Sequence, residues 1–243
     1  MKKIAFILIL VILTSLYGCS IYENMYFEAD GKIKYEMVID AGQLLVAMPS
    51  MSDKITNELP SDSVITLSQM IKDKYPNWED LPQDKKEMLK DIEPFMLRYK
   101  SNVDAKQFTV TLYGDFDNAD KLNSGFEALS SLNESIKDSE NSSEMDAPKT
   151  MGEINFKSRF TWNGTQMKRT FYETSDDKTE RGMNMLFGNG RYIVRYYFPA
   201  KVKNINNPNA LFSIDGKTVT LDMPATSFTK PENNPDIIIE LER

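Results

Sequence analysis

The chain contains a single thiol, Cys19, and no histidine in 243 residues. Those two facts set the chemistry open to it. Without histidine, Ser-His-Asp and Cys-His catalysis, His-type zinc sites and haem ligation by His have no residue to work with. An enzyme built from this sequence would have to rely on carboxylates, Lys, Ser or Tyr. Asp115, Asp117 and Asp120 surround Asn118 and invite a calcium reading. An EF-hand loop begun at Asp115 would place Asp120 where Gly is required and Phe126 where a bidentate Glu is required. The acids therefore read as caps and dipole partners of a helix start. Glu79-Asp80 and Asp176-Asp177 are pairs of the kind used in glycoside hydrolysis, but adjacent acids on turns ahead of helices have the same capping explanation. Gly188-Asn189-Gly190 is too short for a phosphate loop and precedes a strand, so it reads as a turn. No metal site and no cofactor is expected.

A second cluster is aromatic. Arg191 to Phe198 alternates as a strand, with Tyr192, Val194, Tyr196 and Phe198 on one face and Ile193, Arg195 and Tyr197 on the other. Tyr192, Tyr196 and Phe198 could line a groove for a lipid or glycan, with apolar ring area and hydroxyl handles. The plainer reading, and the preferred one, is that the same residues form the packed inner face of a strand.

Cys19 has a clearer setting. Met1-Lys2-Lys3 is followed by ten apolar residues, Ile4 to Leu13, and then by Leu16-Tyr17-Gly18-Cys19. A charged start, a short apolar stretch and a small residue before the cut mark a secretory leader; a membrane span needs about 20 apolar residues. The arrangement resembles a bacterial lipobox. That resemblance implies cleavage between Gly18 and Cys19 and acylation of the thiol and the new amino group. Several acyl chains hold a protein on a membrane far more firmly than one. The expected organisation is a lipoprotein signal peptide at 1–18, a lipidated tether at 19–24 and a single domain at 25–243.

Losing residues 1–18 removes Lys2 and Lys3 and no acid, so 29 basic against 36 acidic residues become 27 against 36, and the net charge moves from −7 to −9. So acidic a chain lacks the basic footprint of a nucleic-acid binder and has no electrostatic hold on anionic lipid. Membrane attachment would come from the acyl chains.

The elements that would carry these residues are strands with one polar face and a few amphipathic helices. Met25 to Ala29 and Lys32 to Asp40 form a hairpin across Asp30-Gly31. Thr66 with Gln69 has capping-box spacing ahead of a helix from Leu67 to about Tyr75, and Pro82 opens a second helix that finishes near Pro94. Gln107 to Phe116 alternates. Asp117 or Asn118 then caps a third helix whose apolar stripe is Leu122, Phe126, Leu129, Leu132 and Ile136. Residues 137–152 lose the apolar period and read as a mobile loop. Asn163-Gly164 signals another hairpin, Asp215-Gly216 a further turn, and Asp236 to Glu242 a last strand. Short helices are expected at 43–48 and 176–187. The fold class expected is α+β, a mainly antiparallel sheet with helices packed on one face.

Gly31-Lys32-Ile33-Lys34-Tyr35-Glu36-Met37, Arg195-Tyr196-Tyr197-Phe198-Pro199 and the run from Asn209 to Thr220 resemble a family of uncharacterised lipoproteins common in Bacteroidota. The succession of strands is remotely similar to the LppM-like lipoprotein domain. That resemblance implies a helix-on-sheet sandwich contacting envelope lipids or glycolipids. The function expected is a non-catalytic envelope lipoprotein that binds a partner protein or an amphipathic ligand; a carboxylate-dependent enzyme acting on envelope material, or a structural assembly subunit, are the alternatives. Ser20 is not the Asp that retains lipoproteins in the inner membrane, and residues 20–24 hold one acid, so an outer-membrane, periplasm-facing placement is expected.

Overall fold

A computed structural model describes residues 20–40, 42, 62–74, 78–80, 82–102, 105, 107–137, 158–172, 190–225 and 236–242. The signal segment, Cys19, the helices expected at 43–48 and 176–187, and nearly all of the 137–152 loop lie outside them.

The chain opens with β1 (Ser20–Phe27) and β2 (Ile33–Asp40), then β3 (Asp62–Thr66), α1 (Leu67–Lys74), a 3-10 turn (Trp78–Asp80) and α2 (Gln83–Asp91). After these come β4 (Met96–Asn102), β5 (Gln107–Phe116), α3 (Ala119–Lys137), β6 (Ser158–Trp162), β7 (Gln166–Phe171) and β8 (Arg191–Tyr197). The last strands are β9 (Val202–Ile205), β10 (Leu211–Phe212), β11 (Thr218–Pro224) and β12 (Ile237–Leu241). One sheet has eight strands in the order β10-β11-β8-β1-β2-β5-β4-β3, and a second has four in the order β6-β7-β12-β9. Neighbours run antiparallel except β1 and β8, which are parallel. The class is α+β with mainly antiparallel sheets.

Two expectations change here. The sequence suggested one sheet covered by helices, whereas the inner face of the large sheet is met by a second sheet as well as by helix residues. Alternation tells which side of a strand is apolar but not which sheet it joins. Phe160, Met167, Ile237, Ile239 and Leu241 of the small sheet are buried in the same core as Ile21, Met25, Tyr35, Leu112 and Val194 of the large one. The second change concerns the tether. Ser20 to Asn24 is the first part of β1, paired with β2 from Ser20↔Asp40 onward and with β8 from Ser20↔Arg191. Glu23 occupies an inward position between Ile21 and Met25, where a charge breaks the apolar alternation.

Local chemistry explains the ends of the elements. Thr66 Oγ1 accepts the Gln69 backbone N–H at 3.2 Å to start α1, and Asn118 Oδ1 accepts that of Lys121 at 3.0 Å to start α3. Pro82 stands just before α2, where its missing N–H is no loss, and its carbonyl receives the Lys85 and Lys86 N–H groups. The β6–β7 turn puts Gly164 at φ +88°, while Asn163 Oδ1 accepts the N–H groups of Thr165 and Gln166.

Helix α3 closes the second layer. Phe126 meets Tyr35 edge-on at 5.0 Å, Phe95 at 5.9 Å and Phe160 at 6.1 Å. Strand β6 is an edge, and the buried Asn123 side chain completes it. Its Oδ1 accepts the Phe160 N–H at 2.8 Å and its Nδ2 donates to the Phe160 carbonyl at 2.9 Å. One amide thus replaces a neighbouring strand.

Candidate functional site

Strand β8 shows the alternation read from sequence, and the structure settles which face is inside. Tyr192 and Tyr196 are fully buried and Phe198 is 6 % exposed. They do not line an open groove among the described residues; they face the space between the two sheets. Phe198 stacks on Phe27 at 5.2 Å and lies 5.9 Å from Trp162, whose indole N–H donates to the Glu28 carbonyl at 3.0 Å. Of the two readings the sequence left for these three rings, the packed inner face is the one the structure has, and the groove is replaced by core. A face made of Tyr, Val, Tyr and Phe has more area to remove from water than one made of Ile, Arg and Tyr.

The hydroxyls of this buried face meet charges that the sequence reading did not single out. Glu23, from β1, and Arg169, from β7, are each 1 % exposed. Arg169 Nη1 donates to Glu23 Oε2 at 2.8 Å and to the Tyr196 hydroxyl at 3.0 Å, and the Tyr192 hydroxyl donates to the same Glu23 oxygen. The guanidinium carbon lies 4.9 Å from the ring centre of Phe160 and 4.7 Å from that of Phe171. Burial by itself pushes the Arg169 pKa down, but the Glu23 carboxylate, with Tyr192 and Tyr196, holds it well above the usual guanidinium range. Tyr192 and Tyr35 are pushed far up, chiefly by burial, with the Glu23 charge adding to it. Tyr196 is pushed up by burial to about 12, with Arg169 working against the rise.

This cluster contains an acid, a cation and three phenols, the ingredients of proton-transfer chemistry. Its geometry serves another end. A general acid or base must come within hydrogen-bond reach of a substrate atom, and here both charged groups are closed from solvent and point at each other across the sheets. The arrangement ties β1 and β8 of one sheet to β7 of the other.

The opposite face of the same strands is partly open. Tyr26 and Tyr197, register partners on β1 and β8, stack at 4.3 Å with an 8° angle between rings. The Arg195 guanidinium carbon sits 5.7 Å from the Tyr22 ring centre, and Asn24 Nδ2 donates to Glu36 Oε2 at 2.8 Å. The other sequence candidates separate widely. Asp120 lies in the first turn of α3, and Glu79 and Asp80 are exposed on the 3-10 turn. Asp176 and Asp177 fall outside the described residues, as does Cys19.

No family model matches the chain, and no curated protein matches it. The likeness to Bacteroidota lipoproteins therefore rests on the quoted segments alone. Among solved structures the chain is similar to the folded domain of the LppM protein of Mycobacterium tuberculosis, determined by NMR. The identity is 10 %, the TM-score 0.42, and the match covers 93 % of this chain and 90 % of that one.

Proposed function

We propose that this chain is a non-catalytic envelope lipoprotein, attached to a membrane through Cys19, whose domain binds a partner protein. One observation carries the reading: Ser20 belongs to β1, a strand inside the large sheet, and directly follows Gly18-Cys19. Cleavage before Cys19 would keep every residue of β1 and set the acylated residue directly before that strand. None of the described helices is long and apolar enough to cross a membrane. Glu23, the one acid between Ser20 and Asn24, is buried. It is thus no part of an acidic export signal, which favours an outer-membrane domain facing the periplasm. With Tyr192, Tyr196 and Phe198 in the core, a protein partner is preferred to an amphipathic ligand.

Mass spectrometry of the protein from its own envelope tests the anchor. The expected result is a chain that starts at an acylated Cys19, with Cys19→Ser uncut or released from the membrane fraction. An unmodified Cys19 in the wild type overturns the reading. Protease shaving of intact cells tests orientation: rapid digestion of the domain would mean that it faces outward.

A further inference from the structure

In the lipoprotein reading no spacer separates the anchor from the sheet. Ser20, the residue after Cys19, is the first residue of β1, and one peptide step spans only about 3.8 Å. The end of the sheet around Ser20 is therefore held against the bilayer surface, and the fold around it decides how the domain sits.

That end belongs to an interior strand. β1 has β8 and β11 on one side and β2 and β5 on the other. The register carries the level of Ser20 both ways. Ser20 pairs with Asp40, where β2 ends, and Asp40 pairs with Thr109. Ser20 also pairs with Arg191, where β8 begins, and Arg191 pairs with Pro224, where β11 ends. β5 begins farther along still, at Gln107. If β1 leaned over within the sheet, the strand ends on one side would be driven into the bilayer.

Leaning out of the sheet is opposed as well. The inner face is covered by the small sheet, which shares its core, and packed sheets are about 10 Å apart. A domain lying on that side would lift Ser20 by more than the single step to Cys19 can span. Toward the other face, charge decides. Without residues 1–18 the chain holds 27 basic against 36 acidic residues, so an anionic leaflet repels it. From Ser20 to Phe27, β1 rises roughly 23 Å at ~3.3 Å per residue. Upright strands keep most of the domain beyond the Debye length of about 8 Å, whereas a domain lying flat brings far more of its acid within that range.

The chemistry of the end suits headgroups. Asp40, Gln107 and Arg191 are exposed, and Arg191 is paired with Asp222. Charged and amide groups belong in the hydrated headgroup layer, not among acyl chains.

We propose that the end of the large sheet formed by Ser20, Asp40, Gln107 and Arg191 is a membrane-contact surface on which the domain stands, with the turns at Asp30-Gly31 and Asp215-Gly216 pointing away from the lipid. This rests on the lipoprotein reading and adds the partner surface and the orientation to it. Cys19 is the only cysteine, so once it is acylated a cysteine introduced elsewhere is a unique free thiol. Asp40 ends β2 and Lys32 directly precedes it; both are exposed, about 25 Å apart at ~3.3 Å per residue. Asp40→Cys, Gln107→Cys and Lys32→Cys are each purified from the cell envelope as the acylated chain, labelled with a fluorophore and bound to vesicles of phosphatidylethanolamine and phosphatidylglycerol. Lipid carrying a nitroxide on its headgroup is the quencher. The labels at 40 and 107 should lose most of their emission, and the label at 32 should keep it, with melting temperatures like that of the wild type. Equal quenching at 40 and 32, quenching at 32 alone, or no quenching at either near position overturns the proposal. The mass of Cys19 in the same samples separates the two readings. An acylated Cys19 with any of those patterns overturns the orientation alone, whereas an unmodified Cys19 overturns the anchor and the orientation with it.

Discussion

Glu23 and Arg169 are the two charged residues that the described core takes fully inside, and they tie β1 of one sheet to β7 of the other. Desolvating two ions costs several kcal/mol each. Their attraction offsets that cost only with good geometry and further hydrogen bonds, here from Tyr192 and Tyr196. The fit is incomplete, since Arg169 Nε is buried without a hydrogen-bond partner among the described residues. Such a pair specifies register more than it adds stability. Glu23→Gln should destabilise the fold by about 3–5 kcal/mol, because it leaves an uncompensated buried cation. Glu23→Leu combined with Arg169→Met should cost far less than either change alone. Urea unfolding of Glu23→Gln, of Glu23→Leu and Arg169→Met singly, and of the double variant checks this, and additive losses in the double variant would refute the interpretation. Both residues had a sequence signal of the same kind: a charge at an inward position of an alternating strand, Glu23 among Ile21, Met25 and Phe27, and Arg169 between Met167 and Phe171. The tether expected at 19–24 covered the first half of β1.

Among the elements, close approach can outweigh intrinsic preference. Gly125 lies inside α3, where alanine would ordinarily gain about 1 kcal/mol. A Cβ there would stand 2.7 Å from the Phe95 ring and 3.2 Å from the Asp91 carbonyl oxygen. Phe95 has no room to give, being fully buried among Phe116 at 5.0 Å, Phe126 at 5.9 Å and Tyr35 at 6.3 Å. Gly125→Ala should therefore lower the urea midpoint, with a loss of about 1–3 kcal/mol from overpacking; a raised midpoint would show that the ring yields. Features fixed by residues near in sequence were legible beforehand: the Thr66 and Asn118 caps, Pro82 before α2, the Asn163-Gly164 turn and both faces of β8. Features fixed by distant partners were not. Nothing in Ser20 to Phe27 announces a parallel neighbour at Arg191 to Tyr197, and nothing near Asn123 says that its amide will complete the edge of β6. The aromatic face of β8 was visible as a face, but whether it met solvent or a second sheet depended on strands too short to assign to a sheet.

At the scale of the whole molecule, the phenols packed between the layers make stability depend on alkaline pH. Tyr196 is raised by burial to about 12, Tyr99, beneath the other end of the large sheet, is raised by burial to about 12, and burial holds Tyr35 and Tyr192 well above the usual phenol range. An unfolded tyrosine ionises near 10. A folded-state pKa above that value means that the native protein keeps protons the unfolded chain gives up. The stabilisation is complete below about pH 10 and is lost as pH rises toward the folded values. Tyr35, Tyr192 and Tyr196 all face Glu23 and Arg169, so they titrate as a coupled set within the same window. Thermal melts of the full chain should give a midpoint that is flat from about pH 7 to about 10 and then falls steeply toward 12. Replacing Tyr192 and Tyr196 together by Phe should lower the midpoint at neutral pH, because Glu23 and Arg169 each lose a hydroxyl partner, and should flatten the alkaline fall. Tyrosinate absorbance followed in parallel assigns the cause: ionisation and unfolding should coincide above about pH 10 in the wild type. Ionisation of the buried phenols while the fold stays intact would mean that the space between the sheets admits solvent, and the core described for Tyr192 and Tyr196 would have to be abandoned.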